Sequence, residues 1–331
     1  MAVFPIVEPF AKATVSRLAV ERERLDRLKI AGAVSAEITE DTDHWILTTN
    51  IRVADGASAP APPRPAPSLS GALVSDAGTE PLFGLDSLSP TSLGKLATVT
   101  GRLGRLRPAF WGRYFYAPGQ LASGGHRDPD HYASAESSLL RAHGIRVLPI
   151  ARQTGNVGRD AAQAATDAER NVAAIFECFS PDYLAGADPD VLVFLDVEEA
   201  VGQPRLTADY YAAWSRRLEE RGAEASDGRV SLRPAIYTSQ GARETFLALA
   251  RAIGAGAHCF GVWTARGLSQ GEPMAFSDAQ MLPVVGLSCP TLLCQFFLSA
   301  DQAPPDENLD MSVVNPAHQD ILLSRLVMPP G

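Results

Sequence analysis

From about residue 80 onward, short apolar runs alternate with longer amphipathic segments. The apolar runs predict strands at 81–86, 109–116, 145–152, 191–198, 230–238, 259–265, 292–298 and 308–313. The amphipathic segments predict helices at 92–102, 132–143, 159–179, 207–221, 242–253 and 317–326. Eight strands that alternate with helices over about 250 residues are typical of an α/β fold, a (β/α)8 TIM-type barrel.

A doubly wound open sheet is the alternative, because it has the same alternation of strands and helices. No GxGxxG sequence follows the first of these strands, 81–86. The usual reason to prefer an open dinucleotide-binding sheet is therefore missing.

The first 54 residues follow a different pattern. Residues 9–29 predict an amphipathic helix, and 33–39 and 44–53 predict two strands joined by a turn at 40–43. This predicts a small α+β module at 1–54, either an accessory domain or a docking module for a protein partner. Five prolines between residues 54 and 70 predict an extended Pro/Ala-rich linker at 55–70. Residues 71–331 then form the barrel.

Charge and hydropathy narrow the classes of partner. The formal net charge is −9 and no basic stripe is present, so nucleic acid is not expected as a partner. No apolar run approaches the roughly 18 residues that would predict a membrane-spanning helix. The N-terminus lacks the basic start of a signal peptide. We therefore expect the protein to be cytoplasmic, or to be delivered outside by a non-classical or partner-dependent route.

The four cysteines do not form a metal-binding pattern. Cys178, Cys259, Cys289 and Cys294 include no CxxC pair and no neighbouring histidine cluster. We expect them to be reduced, buried and apolar in character, with no metal and no cofactor. A bridge between Cys289 and Cys294 is an alternative for an exported protein.

Four acidic residues fall at the predicted strand ends. Asp86 ends the first barrel strand, Asp196 and Glu198 end the fourth, and Asp310 lies on the last. Side chains alternate along a strand, so Asp196 and Glu198 face the same side. Because barrel chemistry lies at the carboxyl ends of the strands, we expect the four acids to share one pocket. The alternative is that Asp196 and Glu198 are loop acids paired with arginines.

Crowded carboxyls have a chemical use. Like charges a few ångströms apart raise the pKa of at least one acid, and a raised acid beside an ionised one suits glycosidic cleavage. Aromatic and polar residues at the other strand ends would contact the sugar. These expected contacts are Arg113, Tyr114, Tyr237, Trp263 and Gln295.

Six stretches along the barrel carry a resemblance to known proteins. They are FGLDS (83–87), LDVEE (195–199), AIYTS (235–239), GVWTA (261–265), LCQFF (293–297) and LDMSVVN (309–315). With these stretches the chain resembles the family 25 glycoside hydrolases, the Chalaropsis-type lysozymes. WGRYF (111–115) is more similar to the related glycoside-hydrolase-like group known as domain of unknown function 1906.

The resemblance implies roles for several residues. Glu198 would be the general acid/base, and Asp196 would orient the substrate or stabilise charge. Asp86 and Asp310 would complete an acidic pocket that cleaves peptidoglycan-like cell-wall glycan without a metal. A non-catalytic carbohydrate-binding barrel and an interaction protein docked through residues 1–54 are the alternatives. The chitinase pattern DxxDxDxE is disfavoured, because Val191 and Phe194 occupy its first two acidic positions.

Overall fold

The computed structural model describes residues 2–11, 33–40, 44–53, 81–102, 107–116, 130–198, 203–270, 275–298 and 309–331. The chain divides into two compact units. The smaller comprises residues 1–79 with 267–271, and the larger comprises 80–266 with 272–331.

The smaller unit contains a three-stranded antiparallel sheet. Its strands are β1 (Ala2–Ala11), β2 (Ala33–Glu40) and β3 (His44–Val53), in the order β1-β3-β2. The predictions of β2 and β3 are confirmed. The predicted helix at 9–29 is wrong at its start, because residues 9–11 end β1. Pro5 and Pro9 have no backbone N–H to donate, and an edge strand such as β1 tolerates them.

Other predictions for this region fall on residues that are not described. They concern the rest of the helix (12–29), most of the turn (41–43) and the linker (55–70). The docking role of residues 1–54 stays a prediction.

The larger unit is a closed eight-stranded barrel with helices, as the sequence predicts. Its strands are β4 (Phe83–Ser87), β5 (Phe110–Tyr114), β6 (Arg146–Ala151), β7 (Asp190–Val197), β8 (Ser231–Ser239), β9 (Val262–Gln270), β10 (Thr291–Leu298) and β11 (Leu309–Val314). The strands follow one another around the barrel in chain order, and β11 closes it between β10 and β4.

Helices connect most of these strands. They are α1 (Leu93–Arg102), α2 (Ser134–Ala142), α3 (Ala161–Cys178), α4 (Pro181–Ala187), α5 (Ala208–Ala225), α6 (Arg243–Gly254), α7 (Asp278–Met281), a 3-10 turn (Pro316–His318) and α8 (Gln319–Leu323). Caps fix where several begin: Asp160 accepts a hydrogen bond from the backbone of Gln163, and Thr207 from that of Tyr210. Within the described parts of the chain, no helix is both long and apolar enough to cross a bilayer.

The last strand departs from the all-parallel arrangement of a (β/α)8 barrel. The strands from β4 to β9 pair in parallel, whereas β11 is antiparallel to both β10 and β4. Only residues 299–308 separate β10 from β11. A crossover between parallel strands needs a dozen or more residues, whereas antiparallel strands accept a shorter connection. The short connection therefore accounts for the reversed direction of β11.

The barrel interior is a packed apolar core. Inward positions on successive strands contribute Phe110, Leu148, Leu192, Phe194, Ala235 and Leu293, all buried in one cluster. Gly84 is required there, because a Cβ at this position would lie 2.0 Å from the ring of Phe110. The outward positions pack in a second cluster with helical residues such as Ile175, Trp214 and Phe246. Both faces of the strands are thus buried, which explains their continuous apolar runs.

A buried ion pair joins β5 to α2. Arg113 is fully buried and contacts Glu136 at 3.0 Å, and it also donates to the carbonyl oxygens of Ser87 and Leu88. Glu136 accepts two further hydrogen bonds, from the backbone N–H groups of Thr91 and Ala133. The pair therefore holds the loop after β4 against the start of α2. The prediction that Arg113 contacts substrate is wrong, because period-two alternation turns it to the outside of the barrel when Tyr114 faces in.

We expect Glu136→Ala to lower the free energy of unfolding by roughly 3–5 kcal/mol, because it leaves the Arg113 guanidinium buried without its counterion. Urea unfolding of the purified chain measures this change. The matched control is Asp182→Asn, which removes the carboxylate of the exposed pair with Arg229. It should cost less than about 1 kcal/mol. Equal costs for the two variants would contradict this account.

Candidate active site

A polar layer caps the apolar interior of the barrel. On β7 the inward positions are Leu192 and Phe194, followed by Asp196; on β10, Leu293 is followed by Gln295. The same change from apolar to polar occurs on β4, β5 and β8. The polar layer consists of Asp86, Tyr114, Asp196, Tyr237, Gln295 and Asp310. The structure thus brings together the acids that were predicted from strand ends.

Asp310 lies in this layer for a different reason from the one that the sequence predicts. It lies near the start of β11, not at its carboxyl end. Because β11 runs antiparallel, its start is beside the end of β4, and Asp310 is the register partner of Asp86. Like charges directly opposite each other in an antiparallel pair repel. Burial, followed by the charge of Glu198, raises the pKa of Asp310 to about 7.

Asp86 is held by a hydrogen-bond relay. The amide nitrogen of Gln295 lies 3.0 Å from both carboxyl oxygens of Asp86, and the Tyr237 hydroxyl donates to Gln295 Oε1 at 2.5 Å. Burial and the charge of Asp310 raise the pKa of Asp86 well above its usual range, although the Gln295 contact lowers it. The relay therefore fixes the position of Asp86 while leaving ionisation costly.

Gly112 makes room for Asp86. A Cβ at residue 112 would lie 2.7 Å from the Asp86 Cβ and 3.1 Å from the Ile150 Cδ1 atom. Gly112 is the register partner of Asp86 on β5. The glycine of the WGRYF stretch is therefore explained by close approach to an acid, not by backbone conformation.

Asp196 is the more deeply buried of the two carboxyls at the end of β7, Asp196 and Glu198. Its side chain is 2% exposed, and its Oδ2 atom accepts a hydrogen bond from the Thr154 hydroxyl at 3.1 Å. Its Oδ1 atom is buried and has no hydrogen-bond partner among the described residues. Burial, with the charge of Glu198, raises the pKa of Asp196 to about 7, while Thr154 and Arg152 lower it.

Glu198 is exposed and lines a cleft beside the polar layer. The cleft has a volume of about 590 Å³. It is lined by Tyr116, Asp130, Arg152, Gln153, Thr154, Gly155, Asn156, Glu198 and Gln203. Asp196 and Glu198 thus share one strand face but differ in environment, since only Glu198 stands in the open cleft.

Arg152 is a cleft residue that the sequence analysis did not select. It forms an ion pair with Asp130, and its guanidinium carbon lies 5.3 Å from the centre of the Tyr114 ring. In the described part of the chain it is the one cation whose charge lowers the pKa of Asp196 and of Tyr114. The signal was present, because residue 152 is the next inward position after Leu148 and Ile150 on β6.

Trp263 does not offer the sugar platform that was expected of it. It is 1% exposed, and its indole N–H donates to the Ser312 hydroxyl at 3.0 Å. Its ring packs edge-on against Tyr237, with centroids 4.6 Å apart, and against Phe194. Trp263 is therefore part of the barrel core beneath the polar layer, and the prediction that it contacts substrate is wrong.

The donor sets of the described residues do not suggest a metal centre. Over these parts of the chain, no three His, Cys, Asp or Glu side chains are grouped so that they could hold a metal ion.

Comparison with known proteins supports the fold. No protein-family model matches the chain, and no curated protein matches it. An uncharacterized protein of B. stearothermophilus is similar in structure, with a TM-score of 0.52 and 20% sequence identity, over 74% of this chain and 99% of that one. A Tat-secreted protein of Mycobacterium tuberculosis, solved in complex with HEPES, gives a TM-score of 0.40 and 10% identity, over 70% of this chain and 95% of that one.

We expect Asp196→Asn to change how stability depends on pH. Between the ordinary carboxyl pKa of 3.8 and the value of about 7 in the folded protein, the unfolded chain has lost this proton and the folded chain retains it. Rising pH in this window therefore favours unfolding, and the effect is complete above about pH 7. Relative to the unmodified protein, Asp196→Asn should gain on the order of a few kcal/mol between pH 4 and pH 8.

Urea unfolding at several pH values measures this difference. A stability difference between Asp196→Asn and the unmodified protein that is constant from pH 4 to pH 8 would contradict the raised pKa.

Proposed function

We propose that the barrel is a glycoside-hydrolase-like protein that cleaves peptidoglycan-like glycan by a muramidase-type reaction. The observation that carries this proposal is the grouping of the buried acids Asp86 and Asp196 and the half-buried Asp310 next to the exposed Glu198. Burial favours the protonated form of the acids, and the cleft gives a ligand access to Glu198. Acid and anion side by side are what glycosidic cleavage requires.

Glu198 is the residue best placed to exchange a proton with a substrate. A general acid must come within hydrogen-bond reach of the leaving oxygen, and of the two carboxyls at the end of β7 only Glu198 lines the cleft. It would protonate the glycosidic oxygen as the bond breaks, with a proton that the neighbouring Asp196, whose pKa is raised to about 7, gives up to it; Asp196 is then left ionised. The Glu198 carboxylate would then activate the incoming water.

Asp196 supports the positive charge that develops on the sugar. Its Oδ1 atom is buried without a partner in the described structure, which is costly unless a ligand satisfies it. A substrate N–H or O–H group could donate to this oxygen. Tyr237 and Gln295 act indirectly in this scheme, since they hold Asp86 through the relay.

We expect Glu198→Gln to lower the release of reducing ends from purified peptidoglycan by roughly 10²-fold or more, because the amide cannot transfer a proton. Binding to the insoluble glycan, measured by co-sedimentation, should be nearly unchanged. The matched control is Glu220→Gln on the exposed surface of α5, which should retain both properties.

The outcomes separate cleavage from binding alone. Release by Glu198→Gln at the unmodified rate would refute the role of Glu198. Binding without release by the unmodified protein would replace the hydrolase with a carbohydrate-binding barrel. Absence of both would overturn the proposal.

A further inference from the structure

Two cysteines lie side by side where neighbouring barrel strands begin. Cys259 precedes β9 and Cys289 precedes β10, and these two strands are neighbours in the barrel. The backbone N–H of Val262 donates to the carbonyl oxygen of Pro290 at 2.9 Å, which fixes the two segments next to each other. The juxtaposition is therefore set by the barrel and not by loop conformation.

The two thiols are close neighbours. Both cysteines are free, and each thiol shifts the pKa of the other. The Cys259 sulfur also lies 3.4 Å from the carbonyl oxygen of Gly261. The sequence left open a bridge between Cys289 and Cys294, but in the structure the neighbour of Cys289 is Cys259, and Cys294 is buried.

Reagents can reach this pair. Cys259 and Cys289 are each partly exposed, and Cys289 lines a cleft of about 710 Å³ together with Pro290, Asn315 and His318. Cys178 and Cys294 are buried, and the Cys294 thiol is placed to donate to the carbonyl oxygen of Gln295 at 3.5 Å. Proximity and access therefore single out one pair among the four cysteines.

We propose that Cys259 and Cys289 form a reversible intramolecular disulfide, so that this pair is a redox modification site of the barrel. The oxidant is a small disulfide of the glutathione class. One protein thiolate attacks it and forms a mixed disulfide, releasing one glutathione thiol. The second protein thiolate displaces the other glutathione, so two protein thiols are oxidised and one small disulfide is reduced to two thiols.

The surroundings favour a thiolate at this position. The neighbouring Cys289 side chain lowers the pKa of the Cys259 thiol, against the opposing effect of burial. The thiolate is the attacking form in disulfide exchange. Cys294 has the opposite character, because burial raises the pKa of its thiol to about 11.

The bond would constrain the chain between the two strands. It closes a loop from residue 259 to residue 289 that contains β9 and α7. A crosslink of this span removes conformations from the unfolded chain and so stabilises the fold. We expect the thermal midpoint of the full chain to rise by roughly 5–10 °C on oxidation.

The full-length reduced protein, treated with oxidised glutathione and then alkylated after denaturation, tests the proposal. We expect two of the four thiols to become resistant to alkylation, the intact mass to fall by two hydrogens, and peptide mapping to find Cys259 linked to Cys289. Dithiothreitol should reverse both the mass change and the thermal shift.

Matched serine variants decide whether this pair is responsible. Cys259→Ser should not form the link and should retain glutathione on Cys289, whereas Cys294→Ser should behave as the unmodified protein. Four alkylatable thiols after oxidation, a mapped link between other cysteines, or a stable glutathione adduct on the unmodified protein would each overturn the proposal. If a variant fails to fold, peptide mapping of the oxidised unmodified protein still shows which two cysteines are linked.

Discussion

The site depends on the closure of a barrel around acidic side chains. The barrel supplies too few hydrogen-bond donors and cations to neutralise their charge. Closing eight strands directs every inward side chain toward one axis, so the last inward positions of β4 and β7 and the first inward position of the antiparallel β11 converge. Below them the positions are apolar and pack without cost. Above them lie Asp86, Asp196 and Asp310, whose pKa values are raised by burial and by the charges of neighbouring carboxyls, including that of Glu198.

The same molecule shows what full compensation looks like. Glu136 is as buried as Asp86 and Asp196, yet it has the Arg113 guanidinium and two backbone N–H donors. Asp196 has one hydroxyl on one oxygen, and the nearby cation Arg152 is already paired with Asp130. The fold can therefore provide a buried carboxylate with a counterion and several hydrogen-bond donors, as it does for Glu136. It does not do so for Asp196 in the polar layer. Incomplete compensation of buried acids beside an open cleft is typical of sites that carry chemistry or binding.

The barrel and its acidic residues could be predicted from the sequence because both follow from local patterns of apolar and polar residues. Eight apolar runs predicted eight strands, and the end of the run before Asp196 located the strand end. The direction of β11 depends on how few residues connect it to β10, which a strand count does not show. Arg113 and Tyr114 are adjacent, so alternation alone forbids both from facing inward. Alternation along β9 turns Trp263 toward the barrel interior, as predicted. How far it lies below the open end depends on the register of β9 against β8, which is set only when the barrel closes.

The division of roles within the polar layer follows from a two-residue step along β7. Asp196 and Glu198 share a strand face, but the strand ends at Val197, so one carboxyl is enclosed and the next stands in the cleft. The enclosed acid acquires a raised pKa from burial and from the charge of its neighbour. Glu198 acts on Asp196 and Asp310 through that charge, and a ligand in the cleft would meet Glu198 first. A ligand that displaced water from Glu198 would therefore also change the pKa values of Asp196 and Asp310. Ligand binding in the cleft and protonation of these acids would then be coupled.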